Sequence, residues 1–392
     1  MSSPETTTKK KKKPSPTPQS TTDSSLPDDL LLSIVARVSR LYYPTLSRVS
    51  KSFRSLLVSQ ELYRARSLLG HTESCLYVCL ELQRELYPSK NPSWFTLWRK
   101  PHQTLTNETS KKKKSRGYVL VSVPVLHSPP ACPESLVAVG SNIYNIGTLR
   151  ENMVKSSNLS ILDCRSHTWR EAPSLRVKLF SFRASVLDRK IYVAGSYKDV
   201  DSNSYKNSTE VFDTETQIWD PEPISYSNIK GLFYFKSACI DKKIFLKTDN
   251  EVVSYNPKEG RWSLVQVGMS YFEGSDSSCE IENVLYTAYG GTIRWYDTKV
   301  DTWTWRKLKG LVGIPKFEGI RLAGYGGKMM VLWDQSFPYR HRLCGYKTMI
   351  WCAEIALEKR KNNEIWGTVE WSGHVLTVPC TYRFVKVLAA TV

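Results

Sequence analysis

The 392-residue sequence lacks a long apolar run, and five consecutive lysines, Lys9 to Lys13, stand near its amino terminus where a secretory signal needs apolar residues. We therefore expect no membrane span and no export. Its nine cysteines are scattered, and no Cys-x-x-Cys pair indicates a zinc site or a redox site. Reduced thiols in an intracellular protein, nuclear or cytoplasmic or both, are the better interpretation.

The motifs of the common enzyme classes are also missing. None of the six histidines has metal-ligand spacing, and no Gly-x-Ser-x-Gly elbow, Walker loop or dinucleotide-binding glycine motif occurs. The repeated Asp163, Asp213 and Asp297 could suggest a ring of catalytic carboxylates. Each opens a short hairpin, however, where Asp commonly accepts backbone hydrogen bonds. We predict a non-catalytic protein without a metal or another cofactor.

The formal net charge of +18 depends heavily on two lysine tracts, Lys9 to Lys13 and Lys111 to Lys114. Both tracts lie in segments rich in Ser, Thr and Pro, so we predict a disordered leader over residues 1–23 and a disordered insertion over about 102–116. The first tract fits a nuclear import signal as well as a solvated tail. Neither tract is interleaved with stacking aromatics, and no nucleic-acid partner is expected.

The chain does contain a repeated β unit. One copy, Ser185 to Pro223, consists of two short hairpins joined by a longer connection. Its landmark is an Asp or Asn followed six positions later by Trp, and the tryptophans recur at steps of 50, 43 and 41 residues. This period is typical of one propeller blade, about 40 to 50 residues. We predict that the tryptophans pack between blades and form no ligand cage. The landmark pairs are Asp163 and Trp169, Asp213 and Trp219, Asn256 and Trp262, and Asp297 and Trp303.

Five units share a tight turn at the same place in their first hairpin. Their register resembles the kelch repeat over about residues 118–392, which implies a mainly β, propeller fold over residues 71–392. The fifth unit departs from the pattern, because a charged insert separates Glu354 from Trp366. The predicted turns are Gly140-Ser141, Arg189-Lys190, Lys242-Lys243, Glu282-Asn283 and Gly326-Gly327.

Five kelch-like units do not close a ring by themselves. The remaining β segments are HVLTVP and YRFVKVLAATV near the carboxyl end, and two strands near Tyr77 and Trp94, the latter resembling the outer-strand tryptophans. A propeller avoids open edges by pairing its first and last segments in one blade. We therefore expect these four pieces to form a sixth blade.

Residues 24–70 read as three small helices. The first opens at Leu26 and Pro27 with Ser25 as its cap, the second runs from about Leu46 to Leu57 after Pro44 interrupts, and the third spans Gln60 to Leu69. So small a helical unit cannot bury much surface alone. Its leftover apolar positions are suited to contact with the helices of a partner.

The segments LPDDLLLSIVARV, YYPTLSRVSKSFRSLL and SQELYRAR resemble the F-box of plant F-box/kelch-repeat proteins. The resemblance implies that residues 24–70 dock onto a Skp-type adaptor and, through it, a cullin scaffold. It also implies a substrate-recognition subunit of an SCF-type ubiquitin ligase that captures a protein target on the propeller. The residues expected to contact the adaptor are Leu26, Pro27, Leu30, Ile34, Leu46, Val49 and Phe53.

Two other functions stay open at this stage. One is a kelch-propeller binding module that acts outside ubiquitin transfer. The other is a glycan-active propeller enzyme, which the missing signal peptide disfavours. Recovery of a Skp-type adaptor and a cullin distinguishes a ubiquitin-ligase subunit from a binding module that acts outside ubiquitin transfer. A glycan-turnover assay tests the enzyme hypothesis.

Connection lengths predict which propeller face binds the target. The turns within the two hairpins of each blade are short, whereas the other connections are long, and long loops on a rigid scaffold commonly carry recognition. The long connections are Gly147 to Asn158, Tyr197 to Asn207, Pro221 to Lys230, Val267 to Asp276, Leu308 to Phe317 and Gln335 to Tyr346. The predicted target-contacting residues are Tyr197, Tyr205, Tyr226, Tyr271, Phe337, Tyr339 and Arg340, of types enriched at binding hot spots.

Overall fold

The computed structural model describes residues 27–84, 87–88, 91–100, 117–125, 127–147, 158–179, 181–199, 201–224, 233–248, 251–265, 278–289, 291–297, 304–315, 319–338, 346–361, 363–378 and 382–392. The predicted leader, the predicted insertion over 102–116 and the helix-capping Ser25 lie outside these residues. Within the described ranges, no helix is both long enough and apolar enough to cross a membrane.

The amino-terminal region is helical, with α1 at Asp28–Ala36, a 3-10 helix at Arg40–Tyr42, α2 at Tyr43–Leu46, α3 at Lys51–Leu56 and α4 at Gln60–Leu68. The predicted second helix is therefore wrong, because it is divided. Ser50 has an extended backbone, and its hydroxyl accepts the Phe53 N–H at 3.1 Å as the cap of a new helix. Pro44 lies in the first turn of α2, where its missing N–H costs no hydrogen bond.

A buried arginine organises the small core of these helices. The core consists of Val35, Ala36, Tyr43, Leu57 and Leu62. Arg66 is only 1% exposed. Its guanidinium donates to the carbonyls of Ala36, Val38 and His71 at 3.2, 2.7 and 2.7 Å and to the Tyr43 hydroxyl at 3.0 Å. These bonds satisfy carbonyls at the end of α1 that the helix itself leaves unpaired.

The described residues of the remainder of the chain form six sheets, each with four strands in radial order, and the short β2 adds a fifth strand to one of them. Blades one to five contain β5 to β8, β9 to β12, β13 to β16, β17 to β20 and β21 to β24, and the sixth contains β25, β1, β3 and β4, with β2 paired to the end of β1. The bounds are β1 Ser74–Arg84, β2 Tyr87–Pro88, β3 Ser93–Arg99, β4 Tyr118–Ser122, β5 Leu136–Val139, β6 Asn142–Ile146, β7 Leu159–Asp163, β8 Thr168–Ala172, β9 Ser181–Leu187, β10 Lys190–Lys198, β11 Tyr205–Asp213, β12 Ile218–Trp219, β13 Phe233–Ile240, β14 Lys243–Thr248, β15 Val252–Asn256, β16 Arg261–Leu264, β17 Ser278–Ile281, β18 Val284–Tyr289, β19 Thr292–Asp297, β20 Thr304–Lys307, β21 Arg321–Tyr325, β22 Lys328–Pro338, β23 Tyr346–Lys359, β24 Ile365–Val378 and β25 Tyr382–Thr391.

The sixth blade closes the ring with the two ends of the propeller sequence. Strand β25 pairs with β1 from Ser74 opposite Thr391 to Leu82 opposite Tyr382. Six blades closed by the first and last segments are thus confirmed. Two details were wrong: His374 to Val378 of the HVLTVP segment belong to β24 in the fifth blade, with β4 as the missing piece of the sixth, and Trp94 lies on β3, one strand inside the outer edge.

The first-hairpin turns contain two residues each. The predictions at Gly140-Ser141, Glu282-Asn283 and Gly326-Gly327 are confirmed, whereas the second and third blades turn one residue earlier, at Asp188-Arg189 and Asp241-Lys242. Both residues of these two turns have positive φ, between 48° and 61°. This conformation suits the twist of a two-residue hairpin. The lysines predicted to turn, Lys190 and Lys243, instead begin the next strand.

The landmark tryptophan of the fourth blade is also displaced. Tyr296 lies opposite Trp305, as Phe212 lies opposite Trp219 and Tyr255 opposite Trp262. The ring centroids of these three pairs are 5.0, 5.0 and 4.9 Å apart. The prediction that the landmark tryptophan stands six positions after Asp297 is therefore wrong, because this turn is two residues longer than that of the second blade. Trp303 itself lies outside the described residues.

Each blade has two kinds of connection, which define two faces of the propeller. The turn face carries the turns between strands one and two and between strands three and four, and the loop face carries the other connections. Two of the predicted long loops begin and end in strand, because β10 and β11 pair out to Lys198 and Tyr205, and β22 and β23 pair out to Pro338 and Tyr346. They project from the loop face as extended hairpins.

Candidate functional site

Helix α1 is apolar on two opposite sides. Val35 and Ala36 are buried in the helical core, whereas Leu30 and Ile34 are 48% and 47% exposed and Pro27 is exposed one turn earlier. Residues spaced by three and four positions share one side of a helix, so Pro27, Leu30 and Ile34 form one stripe, the α1 stripe. A helix with apolar residues all round is normally buried. The α1 stripe is therefore a surface suited to a partner.

The other residues predicted to contact an adaptor divide into two groups. Val49 is 64% exposed, whereas Leu46 and Phe53 are partly buried and pack against the helical core. Leu26 lies outside the described residues. Sequence reasoning missed Val58, which is 50% exposed after α3, because a single apolar residue next to a buried leucine has no distinguishing period.

The helices pack directly against the turn face of the propeller. The Arg40 guanidinium donates to the Cys164 carbonyl at 2.9 Å, and the Tyr63 hydroxyl donates to the Arg165 carbonyl at 3.4 Å, both in the turn between β7 and β8. At the sixth blade, the Arg99 guanidinium donates to the Tyr42 hydroxyl at 3.1 Å. The helical region therefore covers part of the turn face at blades six and one.

A histidine lies beside this contact. The Tyr77 hydroxyl donates to the Cys164 carbonyl at 2.9 Å and lies 3.0 Å from His167 Nε2. Burial, together with the smaller effect of the nearby positive charge of Arg40, lowers the pKa of His167 to about 4. His167 is thus neutral in the folded protein near neutral pH.

The depressed pKa of His167 predicts acid sensitivity. Between about pH 6.5 and 4 the unfolded chain binds a proton at this histidine and the folded chain does not, so the free energy of unfolding falls as pH falls, by up to about 3 kcal/mol. Denaturant unfolding at several pH values measures this slope. The substitution His167→Asn, which suits the φ of 60° at this position, is expected to flatten it. An equal slope in both proteins would assign the acid sensitivity to other groups.

The loop face carries exposed aromatics on its projecting hairpins. Tyr205 is 56% exposed and Phe337 37% exposed. Tyr197 instead packs against the core between the first two blades. The other four predicted target residues, Tyr226, Tyr271, Tyr339 and Arg340, lie outside the described residues. The predicted set is therefore supported as exposed aromatic surface only at Tyr205 and Phe337.

Sequence reasoning missed Tyr289 on the same face. Its ring is 47% exposed at the end of β18, with the Arg294 guanidinium 6.0 Å from the ring centroid. Val312, 83% exposed in the connection after β20, was also missed.

A cavity of about 400 Å³ opens beside Val312, toward the loop end of the fifth blade. Trp333 and Trp351 lie opposite each other on β22 and β23, with ring centroids 6.3 Å apart and planes inclined by 12°. Such rings offer a flat apolar contact with polar groups at the rim. The lining residues are Gly313, Ile314, Pro315, Trp333, Gln335, Trp351 and Ser372.

The aspartates that recur in the repeats have structural partners. Asp163 accepts the Arg165 N–H, and Asp213 accepts the N–H groups of Glu215 and Thr216, all at 2.8 to 3.1 Å, which confirms their turn role. Asp297 is 3% exposed and pairs with Arg306 Nε at 3.0 Å. Over the described ranges, no group of three His, Cys, Asp or Glu side chains is arranged to hold a metal ion.

Two cysteines on the propeller strands are poor nucleophiles. Burial raises the pKa of the Cys239 and Cys352 thiols well above the ordinary range, which keeps both protonated. These two thiols are therefore not activated for reaction.

Comparison with known proteins supplies the family. The F-box domain model matches residues 24–65, and the model of the FKB95, Kelch-repeats domain matches residues 94–376. F-box/kelch-repeat protein At5g51250 of Arabidopsis thaliana is 60% identical over 377 residues, which cover 94% of this chain and 100% of that protein. F-box/kelch-repeat protein At4g39550 of the same plant is 51% identical over the full length of both. A solved structure titled "Structure of YjhT" covers 67% of this chain and 99% of its own at 10% identity, with a TM-score of 0.40, too low to bear on the fold.

Proposed function

The chain belongs to the F-box/kelch-repeat proteins, and from that premise we propose that it is the substrate-recognition subunit of an SCF-type ubiquitin ligase. F-box and kelch repeats in one chain suggest a non-catalytic substrate adaptor, and an F-box implies a Skp-type adaptor as partner. The proposal adds the cullin scaffold, capture of a protein target on the propeller, and ubiquitin transfer to that target.

The observation that carries the proposal is the α1 stripe. Leu30 and Ile34 stay about half exposed although the other side of the same helix fills the core of the module. Because each of these side chains is already about half buried, covering the rest of it contributes on the order of 0.7 to 1.5 kcal/mol, half the value for a fully exposed Leu or Ile. A partner whose helices cover the α1 stripe gains that contribution, which is the helix-in-groove mode of recognition.

Such a subunit performs no covalent step itself. It raises the effective concentration of a target's lysines near a ubiquitin-charged enzyme held elsewhere on the scaffold. The protonated buried thiols and the turn-bound carboxylates of this chain agree with that role.

The target is proposed to bind the loop face. The helical region covers the turn face at blades six and one through Arg40, Tyr63 and Arg99. A target on that side would compete for space with the adaptor. The loop face presents Tyr205 and Phe337 on projecting hairpins, together with the tryptophan-lined cavity of the fifth blade. Aromatic residues on rigid elements are the anchors typical of protein interfaces.

Co-purification and ubiquitin transfer test the proposal together. The intact chain, expressed in plant cells, is expected to recover a Skp-type adaptor and a cullin, and the assembly is expected to transfer ubiquitin. A chain that lacks residues 24–70 is expected to recover neither partner while its propeller remains folded. Recovery of the adaptor without a cullin or transfer would instead favour a binding module outside ubiquitin transfer.

A further inference from the structure

The contact between the helical region and the propeller is centred on Glu73, between α4 and β1. Its Oε2 accepts the Arg40 backbone N–H at 2.8 Å and the Ser39 hydroxyl at 3.3 Å. The same oxygen lies 3.5 Å from Nη2 of the buried Arg66. One carboxylate therefore holds both the start of the 3-10 helix and the end of α4.

The backbone of Glu73 is part of the ring closure. Its N–H donates to the Val392 carbonyl and its carbonyl accepts the Val392 N–H, both at 2.8 Å. The next residue, Ser74, pairs with Thr391 at the start of β1. The residue that organises the helices is thus fixed in place by the closing strand β25.

The Arg40 side chain makes a second connection across the contact. Its Nη2 donates to the Cys164 carbonyl of the first blade at 2.9 Å, and its Nη1 lies 3.4 Å from the Cys75 sulfur of the sixth blade. Its guanidinium lies 5.4 Å from the ring centroid of Tyr63 on α4. One half-buried side chain joins two blades and a helix.

We propose that Arg40 and Glu73 are positioning residues that lock the helical region to the closed propeller in one orientation. Domains of one chain move relative to each other unless their interface holds them, so these bonds decide whether the α1 stripe and the loop face keep a constant separation. The benefit for ubiquitin transfer, a constant distance between adaptor and target, rests on the proposed function. The lock itself does not depend on that function.

A distance distribution tests the lock without an adaptor or a target. Azide-bearing residues at the exposed Ser55 in α3 and Lys258 in the third blade accept spin labels and leave the nine native cysteines untouched. Electron paramagnetic resonance then measures the distribution of label separations. The parent chain and a control, Arg64→Met at an exposed position of α4, are expected to give one narrow distribution.

The test variants change one connection each. Arg40→Met keeps an unbranched apolar stem over Tyr63 but removes the donors to Cys164, and we expect a distribution roughly twice as wide. Glu73→Gln keeps an acceptor for Ser39 and Arg40 but removes the charge facing Arg66, so a smaller widening is expected. Hydrogen exchange of the α1 and α4 amides shows whether each variant keeps its helices folded.

A wider distance distribution in Arg40→Met, with the helix amides still protected from exchange, supports the lock. If Arg40→Met loses that protection, a wider distribution in Glu73→Gln with protected amides supports the lock instead. Narrow distributions in every variant with protected helices would overturn it. Loss of protection in both would also overturn it, because the two residues would then maintain the helical fold rather than its placement.

Discussion

Replacing Leu30 and Ile34 by Asp is expected to reduce recovery of a Skp-type adaptor about tenfold to a hundredfold, because burying the exposed half of each side chain contributes on the order of 0.7 to 1.5 kcal/mol and about 1.4 kcal/mol is tenfold in affinity. The two charges would also have to lose water on binding, which adds to the cost. Both side chains are about half exposed in the free chain, so its fold should be retained. Titration of the purified variant with the adaptor measures the loss.

The chain offers a matched control for this pair. Leu68, at the end of α4, is 81% exposed, and Leu68→Asp places the same charge at an apolar position outside the α1 stripe. This variant should bind the adaptor like the parent. Equal adaptor affinity in the Leu30/Ile34 variant and the parent would show that α1 is not the docking helix.

The helical region shows where sequence patterns stop being informative. The apolar period over Leu46 to Leu57 fits one continuous helix, and the helix is broken because Ser50 uses its hydroxyl for the Phe53 N–H. A serine competes with the helix by such local bonds, and the choice between continuing and capping depends on tertiary packing. The sequence also cannot distinguish the exposed Leu30 from the partly buried Phe53. Both occupy periodic apolar positions, and only the packing of the core decides which of them is covered.

The propeller was predicted more completely because its signals repeat. Six blades and closure by the two ends follow from the number of units and from the cost of open strand edges. The positions of individual residues within a blade were predicted less accurately. The sequence DTWTW offers two tryptophans two positions apart, and only the strand register identifies Trp305 as the partner of Tyr296. A shift of one or two residues in a turn leaves no trace in the repeat period.

The long loops predicted from polar composition agree least well with the structure. The stretch from Tyr197 to Asn207 is rich in polar residues, yet both of its ends continue the ladder between β10 and β11. Polar strands that project into solvent lack the alternation that half-buried strands show. For the same reason Tyr197, packed against the blade core, and Tyr205, exposed at the hairpin end, could not be distinguished beforehand.

The loop face and the turn face are expected to differ strongly in target capture. A loop-face variant carries Tyr205→Ala, Tyr289→Ala and Phe337→Ala, and a turn-face variant carries Arg189→Glu, Lys242→Glu and Lys243→Glu. Aromatic hot-spot residues cost about 2 kcal/mol or more when truncated, so the first variant should lose nearly all captured protein. Exposed charges contribute little to affinity, so the second should retain most of it. Proximity labelling with the proteasome inhibited compares the captured proteins.

Adaptor binding is the internal control of this comparison. All six positions lie on the propeller, away from the α1 stripe, so both variants should bind the Skp-type adaptor like the parent. The substituted residues are exposed, and Arg189 forms only a surface ion pair with Glu215, so neither set should unfold a blade. Capture that survives the loop-face changes and disappears with the turn-face changes would assign recognition to the turn face. The target would then have to bind beside the helical region, on the part of that face that Arg40, Tyr42 and Tyr63 leave uncovered.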